Sequence, residues 1–246
     1  MKTVHFVKAC GLGNDFVILF NEEISPLQVK SLSNRRYGIG CDQVITIDTR
    51  QNIPFIRFFN PDGSESYTCG NGTRCVALLL GSPQVQTTKN IIDCLCTEDQ
   101  VSINMGKAEI FDLNLPLRAI QIHPIGVDIG NPHAVYITTD IKELDLPTLG
   151  PVVEKHPIFP HRTNVEAVSV KSDTHLEIHI WERGTGITPA CGSGATASFA
   201  ACHSKGLLKD WAKISMLGGD VTVEKKQDNL WLTGEATLLY EGFIDI

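Results

Sequence analysis

No apolar run in this chain of 246 residues approaches the ~20 that a membrane-spanning helix needs. A membrane is therefore not an expected partner. Lysine and arginine are few, 21 against 28 acidic residues for a net charge of −7, and they gather into no run or stripe. That balance lacks the electrostatic footprint of a protein whose main partner is nucleic acid or an anionic surface. Residues 1–10 include Lys2, His5 and Lys8, so they lack the uninterrupted apolar region of a signal peptide, and a cytoplasmic location is expected. No Cys-x-x-Cys pair occurs, which removes the usual spacing of a structural zinc site, and no metal is expected.

Cysteine itself is not scarce. Eight are present, in a chain too long for a disulfide scaffold and without an export signal. Cys75 and Cys202 fall in apolar, helix-favouring segments and read as core thiols. Cys94 and Cys96 alternate in a strand-like run, face one side and read as buried structural thiols. Cys10 and Cys41 stand beside glycine turns, where plain packing is the simpler reading. Cys69 and Cys191 differ, because they belong to a pattern that occurs twice: Thr68-Cys69-Gly70-Asn71-Gly72-Thr73 and Ala190-Cys191-Gly192-Ser193-Gly194-Ala195. Each copy closes a strand-like run and opens an apolar segment, 74–80 in one case and 195–203 in the other. The free N–H groups and positive dipole end of a helix start favour an anion and stabilise a thiolate beside it. Two such cysteines point to an enzyme with thiols on opposite sides of one small substrate.

The repetition extends beyond the cysteines. Asn60 precedes Cys69 by nine positions and Glu182 precedes Cys191 by nine, each at the end of an apolar run, 56–59 and 178–181. Gly13-Asn14 leads into 16–20, and Gly130-Asn131 leads into 134–137. A repeat of half the chain predicts two equivalent domains rather than a solenoid, whose periods are about 20–50 residues. The expected fold is α+β, with two pseudo-symmetric domains, each a mostly antiparallel or mixed β-sheet wrapped around a central helix that starts at a Cys-Gly-x-Gly motif. Patterning predicts strands over 3–9, 16–20, 44–48, 53–59, 90–96 and 100–105, with a helix over 26–36. In the second half it predicts strands over 120–128, 134–138, 164–171, 175–181, 212–216, 220–225, 229–233 and 236–240. A linker near 112–118, where Pro116 interrupts the pattern, divides the chain into 1–115 and 116–237. The apolar tail with Leu238, Leu239, Tyr240 and Phe243 is expected to return to the first half and complete it with 238–246.

Six stretches in order carry a resemblance: Gly11-Leu12-Gly13-Asn14-Asp15-Phe16, Gly38-Ile39-Gly40-Cys41-Asp42-Gln43, Asn60-Pro61-Asp62-Gly63-Ser64-Glu65, Cys69-Gly70-Asn71-Gly72-Thr73-Arg74-Cys75, Gly130-Asn131-Pro132-His133, and Glu182-Arg183-Gly184 leading to Ala190-Cys191-Gly192-Ser193-Gly194. Together they resemble the diaminopimelate epimerase family over nearly the whole chain. A lone Cys-Gly-x-Gly is weak, whereas six ordered motifs are specific. The resemblance implies an isomerase that needs no cofactor and interconverts L,L- and meso-diaminopimelate on the way to lysine and peptidoglycan. It implies Cys69 and Cys191 as the two acid/base groups, with His133 helping Cys69 and Glu182 helping Cys191. Substrate binding then falls to Asn14, Gln43, Asn60, Asn131, Asn164, Glu182 and Arg183, with the Arg183 fork at the distal carboxylate. The backbone N–H groups of Gly70, Asn71, Gly192 and Ser193 are expected to face the charge developing on the reacting carboxylate. The family also implies a homodimer with Tyr240 at the subunit contact.

The implied chemistry agrees with the residues. Inverting a carbon without a carbonyl cofactor means removing the α-proton from one face and returning one to the other, which takes one thiolate and one thiol. Simpler readings stand beside each residue. Asn14, Asn131 and Asn164 can cap turns, His133 can be a loop histidine, and Glu182-Arg183 can be a surface ion pair. Two other functions stay open: a racemase of proline, hydroxyproline or histidine on the same fold, and a thiol redox or binding protein. Cys41 stands where the family often has alanine and Pro189 where a larger residue is common. The segments 81–90 and 106–121 are shorter than in many relatives, so the cleft rim is expected to differ.

Overall fold

In the first unit of the fold one sheet surrounds one helix. A computed structural model describes residues 2–67, 69–97, 100–115 and 122–246. Pro116 of the expected linker and the first residues of the strand expected over 120–128 lie outside the described residues. The chain divides into two compact units: residues up to Ile103 joined by Gly234–Ile246, and Asn104–Thr233.

In the first unit, β1 (Thr3–Gly11) and β2 (Asn14–Phe20) form an antiparallel hairpin closed by Leu12 and Gly13, both at positive φ. That turn type matches the right-handed twist of its flanking strands. α1 (Pro26–Ser33) starts with a capping box between Ser25 and Gln28 and with proline in its first turn. It stops three residues short of the expected end because the Asn34 side chain accepts the backbone N–H groups of Arg36 and Tyr37, offering the chain a turn instead. β3 (Gln43–Asp48) runs parallel to β2, and β4 (Phe55–Phe59) and the short β5 (Glu65–Ser66) continue antiparallel. α2 (Gly70–Leu80) follows, then β6 (Gln84–Gln86) parallel to β4, β7 (Ile91–Cys96) and the start of β8 (Val101–Gly106). The C-terminal strand Thr237–Asp245 pairs antiparallel with β1, from Thr3↔Asp245 to Cys10↔Thr237. α2 is buried from Asn71 to Ala77. Around it Phe16, Ile18, Ile45, Ile56 and Phe58 are all but fully buried. At about 1.5–3 kcal/mol each, such side chains outweigh the unit's surface ion pairs.

The second unit repeats this plan, with a short 3-10 turn at Ile141–Glu143 added and its closing strand placed first in the chain. β9 (Glu109–Asp112) pairs with β10 (Ile125–Asp128), and β10 with β11 (Pro132–Thr138), both antiparallel. β12 (Asn164–Ser172) lies parallel to β11, β13 (His175–Glu182) antiparallel to β12, and β14 (Gly186–Thr188) antiparallel to β13. After the helix Gly192–Ser204 come β15 (Trp211–Met216), parallel to β13, then β16 (Gly219–Lys226) and β17 (Asn229–Gly234). The helix Leu146–Glu154, numbered α3 in chain order, escapes a reading of patterning because Pro147, Gly150 and Pro151 all argue against it. Pro147 sits in the first turn, where its missing N–H is no loss, and Gly150 makes room for the Trp181 ring, which an added Cβ would meet at 2.4 Å. Burial of Leu146, Leu149 and Val153 in a cluster with Tyr136 and Val165 overrides the propensity. Gly192–Ser204 is then α4, whose residues are nearly all buried.

Cys75 and Cys202 are fully buried core thiols. The expectation for Cys94 and Cys96 holds for Cys94 alone; Cys96 is exposed. Although the two share a strand face, Cys96 is the last residue of β7 and pairs with Val101 at the turn end of the hairpin, while Cys94 pairs with the buried Ile103.

Candidate active site

Each cysteine of the twin motif is the N-cap of its unit's buried helix, in extended backbone at φ −153° for Cys69 and −142° for Cys191. The second glycine of each motif is required by space. A Cβ on Gly72 would lie 2.9 Å from Ile45 Cδ1 and Phe58 Cε1, and one on Gly194 would lie 3.0 Å from Glu166 Oε1 and 3.2 Å from Ile180 Cδ1.

Around Cys69, the sulfur accepts the Gly72 N–H at 3.4 Å, an arrangement that favours the thiolate. Asn71, one residue into α2, donates to Asn14 Oδ1 at 2.7 Å, and Arg74 Nη2 donates to Asn71 Oδ1 at 2.8 Å. Arg74 is fully buried and its Nη1 has no partner. Gln43 donates to Asn60 Oδ1 at 2.9 Å, and its own oxygen is buried without a partner. Asn14, Gln43, Asn60 and Asn71, all expected at the site from the sequence, are joined in two bonded pairs. Asp15 and Asp42 support them. Asp15 binds Lys8 at 2.6 Å and both Arg35 nitrogens, and accepts the Asp42 N–H at 2.9 Å, while Asp42 accepts from Asn14.

The second unit has the same plan with different chemistry. Cys191 is buried and bonded to Ser193 Oγ at 3.4 Å, which also accepts from Asn131 at 3.4 Å. Glu182 takes the Thr188 hydroxyl at 2.5 Å and the Cys191 thiol. Burial pushes the Cys191 thiol well above its ordinary range and the charge of Glu182 pushes it further, so it is a neutral thiol at pH 7. Burial likewise raises the Glu182 carboxyl, against hydrogen bonds from Thr188 and Cys191. The two cysteines therefore differ in setting more than their shared motif implies.

Asn164 is buried at the start of β12, donating to Pro132 O at 3.2 Å and accepting the Arg183 N–H at 2.9 Å. Arg183 does not pair with Glu182; its side chain is exposed and one nitrogen donates to His161 O at 3.0 Å. Nor is His133 a loop residue. It lies on β11 with no exposed surface, its Nδ1 2.6 Å from Glu166 Oε1. Residue-by-residue reading misses Glu166, Arg74 and Glu154, the last of which accepts Trp181 Nε1 at 2.8 Å and the Gly184 N–H at 3.0 Å and so fixes the turn after Glu182. The repeat supplies a signal for Glu166, a carboxylate at the position where the first unit has Ile45. Among the described residues, no three His, Cys, Asp or Glu side chains are grouped to hold a metal ion. No helix among them is long and apolar enough to cross a membrane.

The doubled sheet-and-helix plan defines a fold seen in several solved structures. A Bacillus anthracis phenazine biosynthesis protein of the PhzF family superposes with a TM-score of 0.75 at 14% identity, over 100% of both chains. A hydroxyproline epimerase from Agrobacterium vitis does so with a TM-score of 0.72 at 14% identity, over 98% of this chain and 92% of that one. At the level of sequence, the diaminopimelate epimerase family profile matches residues 6–110 and 125–239. Diaminopimelate epimerases from Rhodospirillum centenum and Erythrobacter litoralis are 38% and 36% identical, covering 96% and 98% of this chain and 91% and 97% of their own. The chain belongs to the diaminopimelate epimerase family, whose members are isomerases.

Proposed function

We propose that this chain interconverts L,L- and meso-diaminopimelate, in the supply of lysine and peptidoglycan precursors, with Cys69 and Cys191 as its two acid/base groups and no cofactor. The observation that carries the reading is the doubled site, in which each unit presents a cysteine at the N-terminus of a buried helix. One thiolate takes the α-proton and becomes a thiol; the other thiol gives its proton to the opposite face and becomes a thiolate. The proton count is unchanged, and direction decides which sulfur does which. The contrast between the sites supports this division: Cys69 accepts the Gly72 N–H, whereas at Cys191 burial and the charge of Glu182 outweigh the bonds from Ser193 and the Gly194 N–H and hold a neutral thiol.

The α-proton of an amino acid is weakly acidic, so the carboxylate charge that grows as it leaves must be stabilised. The N–H groups of Gly70, Asn71, Gly192 and Ser193, in the first turns of two helices, are free for this. Asn14, Gln43, Asn60, Asn131 and Asn164 hold the amino-acid groups, and the exposed Arg183 fork takes the distal carboxylate. The protein acts in the cytoplasm as a homodimer. Leu239, Tyr240 and Phe243 of the C-terminal strand are 50%, 53% and 74% exposed, apolar and aromatic surface of the kind that suits a second copy.

The test is solvent exchange. In deuterated water the protein should incorporate deuterium at the α-carbon of diaminopimelate and not of proline, hydroxyproline or histidine. Cys69→Ala and Cys191→Ala should each abolish epimerisation, and the serine variants should retain little of it because a hydroxyl is a far weaker acid. Exchange into one of the other amino acids alone would move the substrate. Wild-type turnover in either alanine variant would end the two-base reading.

A further inference from the structure

The two units provide a control for each other at one buried spot. Phe16 stands opposite Gln43 where β2 meets β3, and His133 stands opposite Asn164 where β11 meets β12. Two residues further on, Ile45 corresponds to Glu166, and across the next strand pair Ile45↔Phe58 corresponds to Glu166↔Ile180. Space confirms the correspondence. A Cβ on Gly72 would meet Ile45, Phe58 and Phe16, at 2.9, 2.9 and 3.3 Å, while a Cβ on Gly194 would meet Glu166 and Ile180. The space under the cysteine-capped helix start is therefore filled by Phe16 and Ile45 in one unit and by His133 and Glu166 in the other. All four have no exposed surface.

An apolar pair is sufficient to seat the helix, as the first unit shows. Burying an imidazole and a carboxylate at the same spot costs stability that an apolar pair of similar size does not. The polar pair is also incompletely satisfied, since His133 Nε2 and Glu166 Oε2 are buried with no hydrogen-bond partner. We propose that Glu166 is a positioning residue for His133: its carboxylate occupies Nδ1 at 2.6 Å, so that the proton the imidazole exchanges is carried on Nε2. The Nδ1 proton stays shared with Glu166 throughout. Nε2 takes one proton when a thiolate is needed and returns it when the thiol re-forms, with no net gain. A carboxylate held against Nδ1 fixes the tautomer and stabilises the imidazolium. In this unit the other titratable groups coupled to the pair are Glu182 on β13 and Cys191 at the start of α4, both already assigned to the reaction. The inference rests on reading His133 as the helper of a catalytic thiol.

Glu166→Gln keeps the shape and removes the charge. Its kcat for diaminopimelate should fall about 10- to 100-fold with little change in KM. Combined with His133→Asn, Glu166→Gln should cost nothing further, as expected when one residue acts through the other. The double variant His133→Phe/Glu166→Ile copies the first unit's pair and should fold, melt no lower than wild type and be inactive. Nitrogen-15 NMR of the wild-type imidazoles, recorded without substrate, should show one buried histidine protonated at Nδ1 and bare at Nε2. A Glu166→Gln enzyme with wild-type kcat, additive losses in the double variant, or an Nε2–H tautomer would each overturn the proposal. Failure of the wild type to turn over diaminopimelate would instead overturn the substrate reading, while the tautomer measurement still decides the role of Glu166.

Discussion

Replacing Asp15 with asparagine is expected to destabilise the first unit by about 2–4 kcal/mol at pH 7. Asp15 receives four donors: Lys8 Nζ at 2.6 Å, Arg35 Nη1 and Nη2 at 2.9 and 2.6 Å, and the Asp42 N–H at 2.9 Å. Asparagine keeps the shape but turns an NH2 group toward Lys8 and Arg35. The Arg35 side chain is 58% exposed, so losing its charge pairing costs less than ~1 kcal/mol. Lys8 decides the magnitude. Its side chain is 6% exposed, and stranding a buried charge typically costs ~3–5 kcal/mol. The carbonyl of Gly40, which also accepts from the Lys8 ammonium, brings that down. A loss of this size is a large part of the ~5–15 kcal/mol that holds a typical protein folded. Asp15 also steadies Asp42 beside Asn14 and Gln43, so KM should rise.

The pH dependence carries a definite sign. Burial alone raises the Asp15 carboxyl, but the hydrogen bonds and charges of Arg35 and Lys8 outweigh it and hold the group well below the usual carboxylate range. A depressed folded value means stability that is fully present above the unfolded value near ~3.9 and is lost as pH falls. The gap between wild type and variant should thus be flat from about pH 5 to 8 and narrow below about pH 4, by up to ~1.4 kcal/mol per pH unit. Urea denaturation followed by far-UV circular dichroism measures it. Tryptophan emission reports the second unit separately, because Trp181, Trp211 and Trp231 all lie there. A gap below ~1 kcal/mol at pH 7, or one that widens on acidification, would refute the reasoning.

Gly194→Ala gains about 1 kcal/mol of helix propensity but forces a methyl against Glu166 and Ile180, an overpacking of ~1–3 kcal/mol. Its melting temperature should fall modestly and its kcat more steeply, since the carboxylate it displaces is the one holding His133; unchanged kcat would count against that link. Tyr240→Ala should weaken dimerisation in sedimentation velocity, whereas a monomeric wild type or a variant of unchanged affinity would remove this residue from the interface.

Much of this protein is legible in one dimension because its chemistry is local. A cysteine beside two glycines at the end of a strand marks a helix start wherever it falls, and an Asn or Glu nine positions upstream marks the neighbouring strand end. The helix Leu146–Glu154 is not legible, since its two prolines and glycine speak against it and only burial beside Tyr136 and Trp181 overrules them. Nor does strand alternation expose Cys96, because cover depends on which elements lie above the strand. Sequence by itself determined the doubling, the twin cysteines and the family, since each is set by residue identity at fixed spacing. Tertiary structure decided the setting of those residues. Strand register alone brings His133 and Glu166 together across 33 positions and puts them where the first unit keeps Phe16 and Ile45. Burial and the charge of Glu182 raise the Cys191 thiol, whereas Cys69, with the same motif, lies in the other unit beside the Gly72 N–H.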